Sequence, residues 1–241
     1  MQGVLERAVD RTNEALSIRE AVREWPLGHA GAARATRLFS LEQRTHLKGE
    51  HARRLAPVAG MAYAAGIALT GTPSHVSATV TIAEIDARHA SPALRIVEHT
   101  EASFAGVAFA EQQIAWLLER WERRAAVVGI APGLGPMRIQ ARDANVDVYP
   151  LTPHRRGDLA DAMLRAVNAG RVQIYTTNAT PQSRQFWAEI VKAQARVTKG
   201  SLDFFVTSGG DAYVTSLALA IEAGQGLLVP AQGRLDQLLC A

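Results

Sequence analysis

The stretch Ser208-Gly209-Gly210-Asp211-Ala212-Tyr213-Val214-Thr215-Ser216-Leu217-Ala218-Leu219-Ala220 decides how this chain is read. A small-residue turn delivers one carboxylate, and an apolar helix begins at once behind it. Asp at a helix start caps free backbone N–H groups and suits the positive end of the helix dipole. The same placement would hold a carboxylate over a sheet edge as a metal ligand. Asp211 is therefore read two ways, as a cap and as a candidate ligand, and the rest of the chain has to separate them.

Working back from that helix, Ala195-Arg196-Val197-Thr198 and Leu202-Asp203-Phe204-Phe205-Val206 flank Lys199-Gly200-Ser201, the pattern of a β-hairpin. Before it, helix and strand alternate: Pro181 to Lys192 helical, Val172 to Tyr175 a strand, Asp158 to Ala169 a helix closed by Gly170, Val146 to Tyr149 a strand. Ala125 to Ile130 reads as a buried strand running into the Gly/Pro loop Ala131-Pro132-Gly133-Leu134-Gly135-Pro136. Phe109 to Arg124 reads as a helix with Ile114, Leu117, Leu118 and Trp121 on one face. Met61 to Leu69, Val76 to Ile85 and Leu94 to Val97 form an antiparallel meander. The fold class that follows is α/β, a mixed sheet with helices on both faces.

Residues 1–59 read differently, as a helical N-terminal arm or linker. Val4 to Val22 has apolar residues at helical spacing, Trp25-Pro26-Leu27-Gly28 breaks it, and Ser40 caps a short helix toward Lys48. The run His46 to Arg54 reads as a solvated connector, and its functional reading is a DNA-contacting arm. The organisation expected is thus an arm (1–59), a core domain (60–224) and a weakly patterned tail (225–241).

With 48% hydrophobic and 20% charged residues in 241, the chain has the composition of an ordinary globular protein. No apolar run reaches the roughly 18 to 20 residues that span a bilayer, so no membrane association is expected. The start of the chain has no signal-peptide apolar region, and the lone Cys240 cannot form an internal disulfide; a reducing, cytoplasmic setting is expected. Net charge is +3, the isoelectric point is near 9.3, and lysine occurs only at Lys48, Lys192 and Lys199. Arginine suits phosphate recognition; the same bias can equally reflect genomic base composition.

Several chemistries are excluded by motif. No Gly-x-x-x-x-Gly-Lys-Ser/Thr loop occurs, and Gly133-Leu134-Gly135 lacks the third glycine of a dinucleotide fingerprint. One Cys and scattered His give no zinc spacing, and no Gly-x-Ser-x-Gly elbow is present. Carboxylate chemistry remains. Hard divalent cations take oxygen ligands from a few Asp or Glu at strand ends, and a pair of such ions can drive phosphodiester hydrolysis. Glu84, Asp86, Asp158 and Asp161 are secondary candidates, each also explained as a surface or helix-start residue.

Two segments carry a specific resemblance. Tyr63-Ala64-Ala65-Gly66-Ile67-Ala68-Leu69-Thr70-Gly71 opening the sheet, and Gly210-Asp211-Ala212-Tyr213-Val214-Thr215-Ser216-Leu217-Ala218-Leu219-Ala220 ending it, resemble the nuclease domain of phage terminase large subunits. Leu38-Phe39-Ser40 and the helix before it resemble the segment joining the terminase ATPase to its nuclease, and the similarity runs from about residue 30 to 224. The resemblance implies a ribonuclease H-like mixed sheet, three antiparallel strands and then parallel ones, flanked by helices, with a small β-hairpin near residues 195–206. It also implies two-metal cleavage of double-stranded DNA during genome packaging, with Mg²⁺ or Mn²⁺ as cofactor. The implied partners are double-stranded DNA, the terminase ATPase domain, the small terminase subunit and the portal, in the host cytoplasm if the chain is phage-encoded.

The chain departs from that pattern where it matters most. Family acids are expected at Ala68 and at Ala131 (Ile130 in the alternative alignment), and the last motif, usually His-Asp-Asp, reads Gly210-Asp211-Ala212. Asp211 alone matches a catalytic, metal-binding acid. His154-Arg155-Arg156 stands where related domains carry basic residues that could meet DNA phosphate; a simple basic loop is the equal alternative. One carboxylate cannot hold a pair of divalent ions, so the chain is expected to be inactive and without bound metal, or to act as a non-catalytic DNA- or partner-binding module. Both deliberate replacement and natural divergence produce such a pattern; the intact flanking residues favour replacement.

Overall fold

The computed structural model describes residues 36–85, 93–121, 125–142, 145–177, 180–198, 201–207 and 209–228. The expected helix at Val4 to Val22, the break after it, Asp86 and the tail beyond residue 228 lie outside the described residues. In chain order the elements are β1 (Thr36–Arg37), α1 (Leu41–His46), β2 (Lys48–Ala52), β3 (Ala62–Thr72), β4 (His75–Ile85), β5 (Leu94–Phe104) and α2 (Val107–Arg120). They continue with β6 (Ala125–Ile130), β7 (Asn145–Pro150), α3 (Pro153–Asn168), β8 (Val172–Thr177), α4 (Pro181–Lys192), β9 (Ala193–Thr198), β10 (Ser201–Val206) and α5 (Ala212–Leu228).

Seven strands form one sheet in the order β2-β8-β5-β4-β3-β6-β7, and β1-β9-β10 form a small second sheet. Antiparallel β3-β4-β5 is continued by β6 and β7, which run parallel to β3, and by β8 and β2 at the other edge. This is the mixed, ribonuclease H-like sheet expected, with the hairpin at β9-β10.

Alternation along β3 creates the two layers. Tyr63, Ala65, Ile67 and Leu69 join Ala110, Ile114 and Leu118 of α2 in one apolar cluster. Ala64 and Ala68 join Tyr213, Leu217 and Ile221 of α5 in the other, with Leu159 and Met163 of α3 and Phe186 of α4. The small residues on this face of β3 let the apolar α5 lie directly on the centre of the sheet.

The stretch His46 to Arg54, read as a connector, is corrected: it contributes an edge strand. Ser40 caps α1 through a reciprocal pair, Gln43 N to Ser40 Oγ (3.1 Å) and Ser40 N to Gln43 Oε1 (2.7 Å). Leu38, Phe39 and Leu47 on either side of α1 are buried in the α5-side cluster, which anchors the segment and brings β2 alongside β8. Strand β5 also runs well past Val97. Its polar continuation is held inside by Arg53 Nη2 on Glu98 (2.7 Å) and by His99 Nδ1 against Thr81 Oγ1 (3.1 Å).

A candidate site at the ends of β3 and β6

Gly129 of β6 is the parallel register partner of Ala68, so two residues further on Ala131 lies on the same side of the sheet as Ala68. The amide of Ala131 donates to Leu69 O (2.9 Å). Ile130 belongs to the opposite cluster, with Leu69. Where β3 and β6 end and α5 begins, a cleft of ≈ 270 Å³ is lined by Ala68, Ala131, Asp211, Ala212, Arg156 and Asp203, among others. The four positions singled out around the expected acids, Ala68, Ala131, Asp211 and Ala212, thus come together.

Asp211 holds the N-cap position by backbone, since its carbonyl accepts from Thr215 N (2.9 Å). Its carboxylate does other work: Oδ2 accepts from Arg156 Nη2 at 2.6 Å. The side-chain cap comes from Glu189 on α4, whose Oε2 accepts from Tyr213 N (2.9 Å) and Val214 N (3.2 Å). Glu189 is buried, and desolvation, partly opposed by those two amides and reinforced by Asp211 and Glu101, pushes its carboxyl up to about 7. It lines a second hollow of ≈ 290 Å³ on the far side of Asp211, with Thr79, Glu101 and Tyr213.

His154-Arg155-Arg156 lies within α3 rather than ahead of it. Thr152 Oγ1 accepts from Arg155 N, and Pro153 starts the helix five residues before the expected Asp158. The His154 side chain is 89% exposed, 3.9 Å from Asp158. Arg155 pairs with Glu222 of α5, which also accepts from Tyr149 OH. Arg156 bridges Asp203 Oδ1 (3.0 Å, from Nε) and Asp211, donates to Phe204 O (2.5 Å), and stacks 4.5 Å from the Phe204 ring. Asp203 was not singled out in the sequence, yet the β9–β10 register pairs Arg196 with Asp203 and sets that carboxylate beside a guanidinium.

The remaining acids lie elsewhere. Glu84 pairs in register with Tyr63, five residues from Ala68 and on the α2 side of the sheet. It is buried there against Arg54 (3.3 Å) and Tyr63 OH (3.2 Å). Asp158 and Asp161 are on α3, outside the lining of the cleft. Among the described residues no group of three or more His, Cys, Asp or Glu side chains is disposed to hold a metal ion. The cleft's two carboxylates, Asp203 and Asp211, share a guanidinium. The residues present do not fit the two-cation centre that the resemblance implies.

No protein-family model matches the chain, and no curated protein sequence matches it. Solved structures do. The large terminase nuclease of thermophilic phage G20c superposes with a TM-score of 0.55 at 16% identity, covering 77% of this chain and 97% of that one. The Thermus phage P74-26 large terminase nuclease domain gives 0.54 at 16% identity, over 77% and 94% of the two chains. The nuclease domain of the large terminase subunit gp2 of bacterial virus Sf6 gives 0.50 at 9%, over 77% and 98%. The G20c nuclease is also known with bound magnesium and with bound cobalt, and a mutant Sf6 domain with manganese. At these identities the likeness is one of fold: this chain has the fold of a phage large terminase nuclease domain.

Proposed function

We propose that this chain is a terminase-type nuclease domain of the phage genome-packaging machinery that does not cleave DNA in its present sequence. The parent activity in this reading is two-metal hydrolysis of double-stranded DNA. The observation that carries it is the shared cleft of Ala68, Ala131 and Asp211; in this reading Ala68 and Ala131 stand where the family carries acids and Asp211 is the one that remains. Alanine offers no oxygen donor for a divalent cation, and no hydrolytic step is derived from the residues that remain.

What the chain retains is a basic composition and an intact scaffold. In this reading it works as a non-catalytic module that holds double-stranded DNA or a packaging partner, in the class of the ATPase domain, small subunit or portal, in the cytoplasm of an infected cell. The engagement of Asp211 by Arg156 favours that role over a catalytic one. His154 is the member of the basic triplet assigned to phosphate contact, because its side chain is the most exposed of the three and lies only at long range (3.9 Å) from Asp158, whereas Arg155 and Arg156 are held close against carboxylates.

Incubation of the chain with supercoiled plasmid and Mg²⁺ or Mn²⁺ should leave the DNA intact, while binding to duplex DNA should weaken steeply with salt. The variant A68D/A131D/A212D should bind Mn²⁺ by calorimetry and nick or linearise the plasmid. Cleavage by the unaltered chain would overturn inactivity. A folded triple variant that neither binds Mn²⁺ nor cleaves would overturn the parentage.

A further inference from the structure

Thr215 lines the same cleft as Ala68, Ala131 and Asp211 and is 1% exposed, yet its hydroxyl has no hydrogen-bonding partner among the described residues. A hydroxyl buried without a partner is costly and rare, and a threonine on a helix has a remedy close by, the carbonyl four residues back. Here that carbonyl, on Asp211, accepts from the Thr215 amide (2.9 Å), and the hydroxyl makes no bond to it. The next residue differs. Ser216 Oγ donates to Tyr213 O (3.0 Å) and meets Thr81 Oγ1 at 2.7 Å. The missing bond is therefore a property of the side of α5 that faces the cleft.

The packing of α5 on β3 says what stands opposite. The helix crosses the strand at Gly66, where a Cβ would meet Ser216 O and Ala220 N. Ala68 is about 6.6 Å further along the strand, which at a rise of about 1.5 Å per residue is roughly four residues back along the helix. That is the turn from which Asp211, Ala212 and Thr215 line the cleft beside Ala68. Alanine stops at Cβ and offers no acceptor, and the cleft of ≈ 270 Å³ leaves room for a longer side chain there.

We propose that Thr215 is a positioning residue left without its partner: its hydroxyl is placed to donate to a carboxylate at position 68, and the alanine there has removed the acceptor. A donor held by the helix would fix the orientation of an acid at the end of β3, as outer-shell hydrogen bonds do for ligating carboxylates. The inference rests on reading the cleft as a nuclease centre that has lost acids, and extends that reading to a residue outside the acid set. It also makes a prediction of sign: the hydroxyl is a liability beside alanine and an asset beside an acid.

Thermal unfolding in EDTA of four forms of the full chain tests it: unaltered, T215V, A68D and A68D/T215V. Valine keeps the branched shape of threonine and deletes only the hydroxyl. In the unaltered chain, T215V should raise the midpoint by about 2 °C or more, because a buried group without a partner is removed. In A68D the same substitution should lower the midpoint by about as much, because it breaks a bond to the new carboxylate. If A68D is not obtained folded, A68N, which presents an amide oxygen without a charge, takes its place in both forms. An effect of T215V that is the same in the two backgrounds overturns the proposal. So does a fall in the midpoint when T215V is made in the unaltered chain, since the hydroxyl would then already have a partner. Because A68D/A131D/A212D is judged separately by plasmid cleavage, the parentage and the role of Thr215 can fail independently.

Discussion

Glu189 puts an ionisable group under the first turn of the central helix, where its protonation is linked to folding. Burial is the main cause that lifts its carboxyl from 4.5 to about 7, so the folded state favours the protonated form. A raised carboxyl contributes stability that is fully present below its unfolded value and is lost as pH rises through the folded one. The expected loss is roughly 2–3 kcal/mol between pH 4.5 and 7. Gln at this position keeps an oxygen for the Tyr213 and Val214 amides and cannot ionise. Urea unfolding of E189Q should therefore match the unaltered chain near pH 5, exceed it near pH 8, and show a flatter slope between. Identical slopes would mean that Glu189 is not the group responsible. This residue was beyond sequence reading, because 24 residues separate Glu189 from the amide of Tyr213; Asp211, adjacent to the helix, was the visible cap, and its side chain turned out to face Arg156. The expectation of acids at Ala68 and Ala131 came only through the resemblance, since an Ala beside an apolar strand is otherwise an ordinary core residue.

The contact between β3 and α5 shows how element-level packing constrains the site. Gly66 lies where the helix crosses the strand, and a Cβ there would fall well inside the van der Waals shells of Ala220 N and Ser216 O, both backbone atoms. Backbone in a helix cannot swing aside, so G66A should cost about 3 kcal/mol or more. G224A makes the control, because its Cβ would press on Leu94 Cδ2, the end of a side chain that can change rotamer. Ala's better helix propensity, worth about 1 kcal/mol, offsets part of that clash. Chemical denaturation should separate the two variants clearly, and equal losses would mean that the helix does not ride directly on the strand. At this scale the strands and helices with strong apolar periodicity, β4 and α2 among them, could be read from sequence. Lys48-Gly49-Glu50-His51-Ala52 could not: β2 is a polar run with no alternation, made a strand by the edge of β8. The second half of β5 was hidden for a related reason, because Glu98 and His99 are buried as hydrogen-bonded polar groups rather than as apolar ones.

For the molecule as a whole, the decisive question is where the folding unit begins. An arm ending at residue 59 could be removed without harm to the core. The burial of Phe39 and Leu47 at 1% and 0% exposure argues otherwise, since both lie in the cluster with Met163, Ile174 and Phe186. Truncating a buried Phe to Ala costs about 3–5 kcal/mol and a buried Leu about 2–5 kcal/mol, against a total stability of about 5–15 kcal/mol for a typical domain. The pair F39A/L47A in the full chain should thus lose most of its unfolding cooperativity. Deletion of residues 1–59 should go further, because it also strips β1 from the hairpin sheet and β2 from β8. The unpaired β8 edge and the vacated apolar surface would favour association between chains. Calorimetry, dye binding and sedimentation should show a broad transition, exposed apolar surface and aggregation for the deletion. A shortened chain that unfolds sharply at the unshifted midpoint would return residues 36–59 to the status of a linker. It would also free the cleft from any dependence on them, since the hairpin that carries Asp203 would then stand without β1.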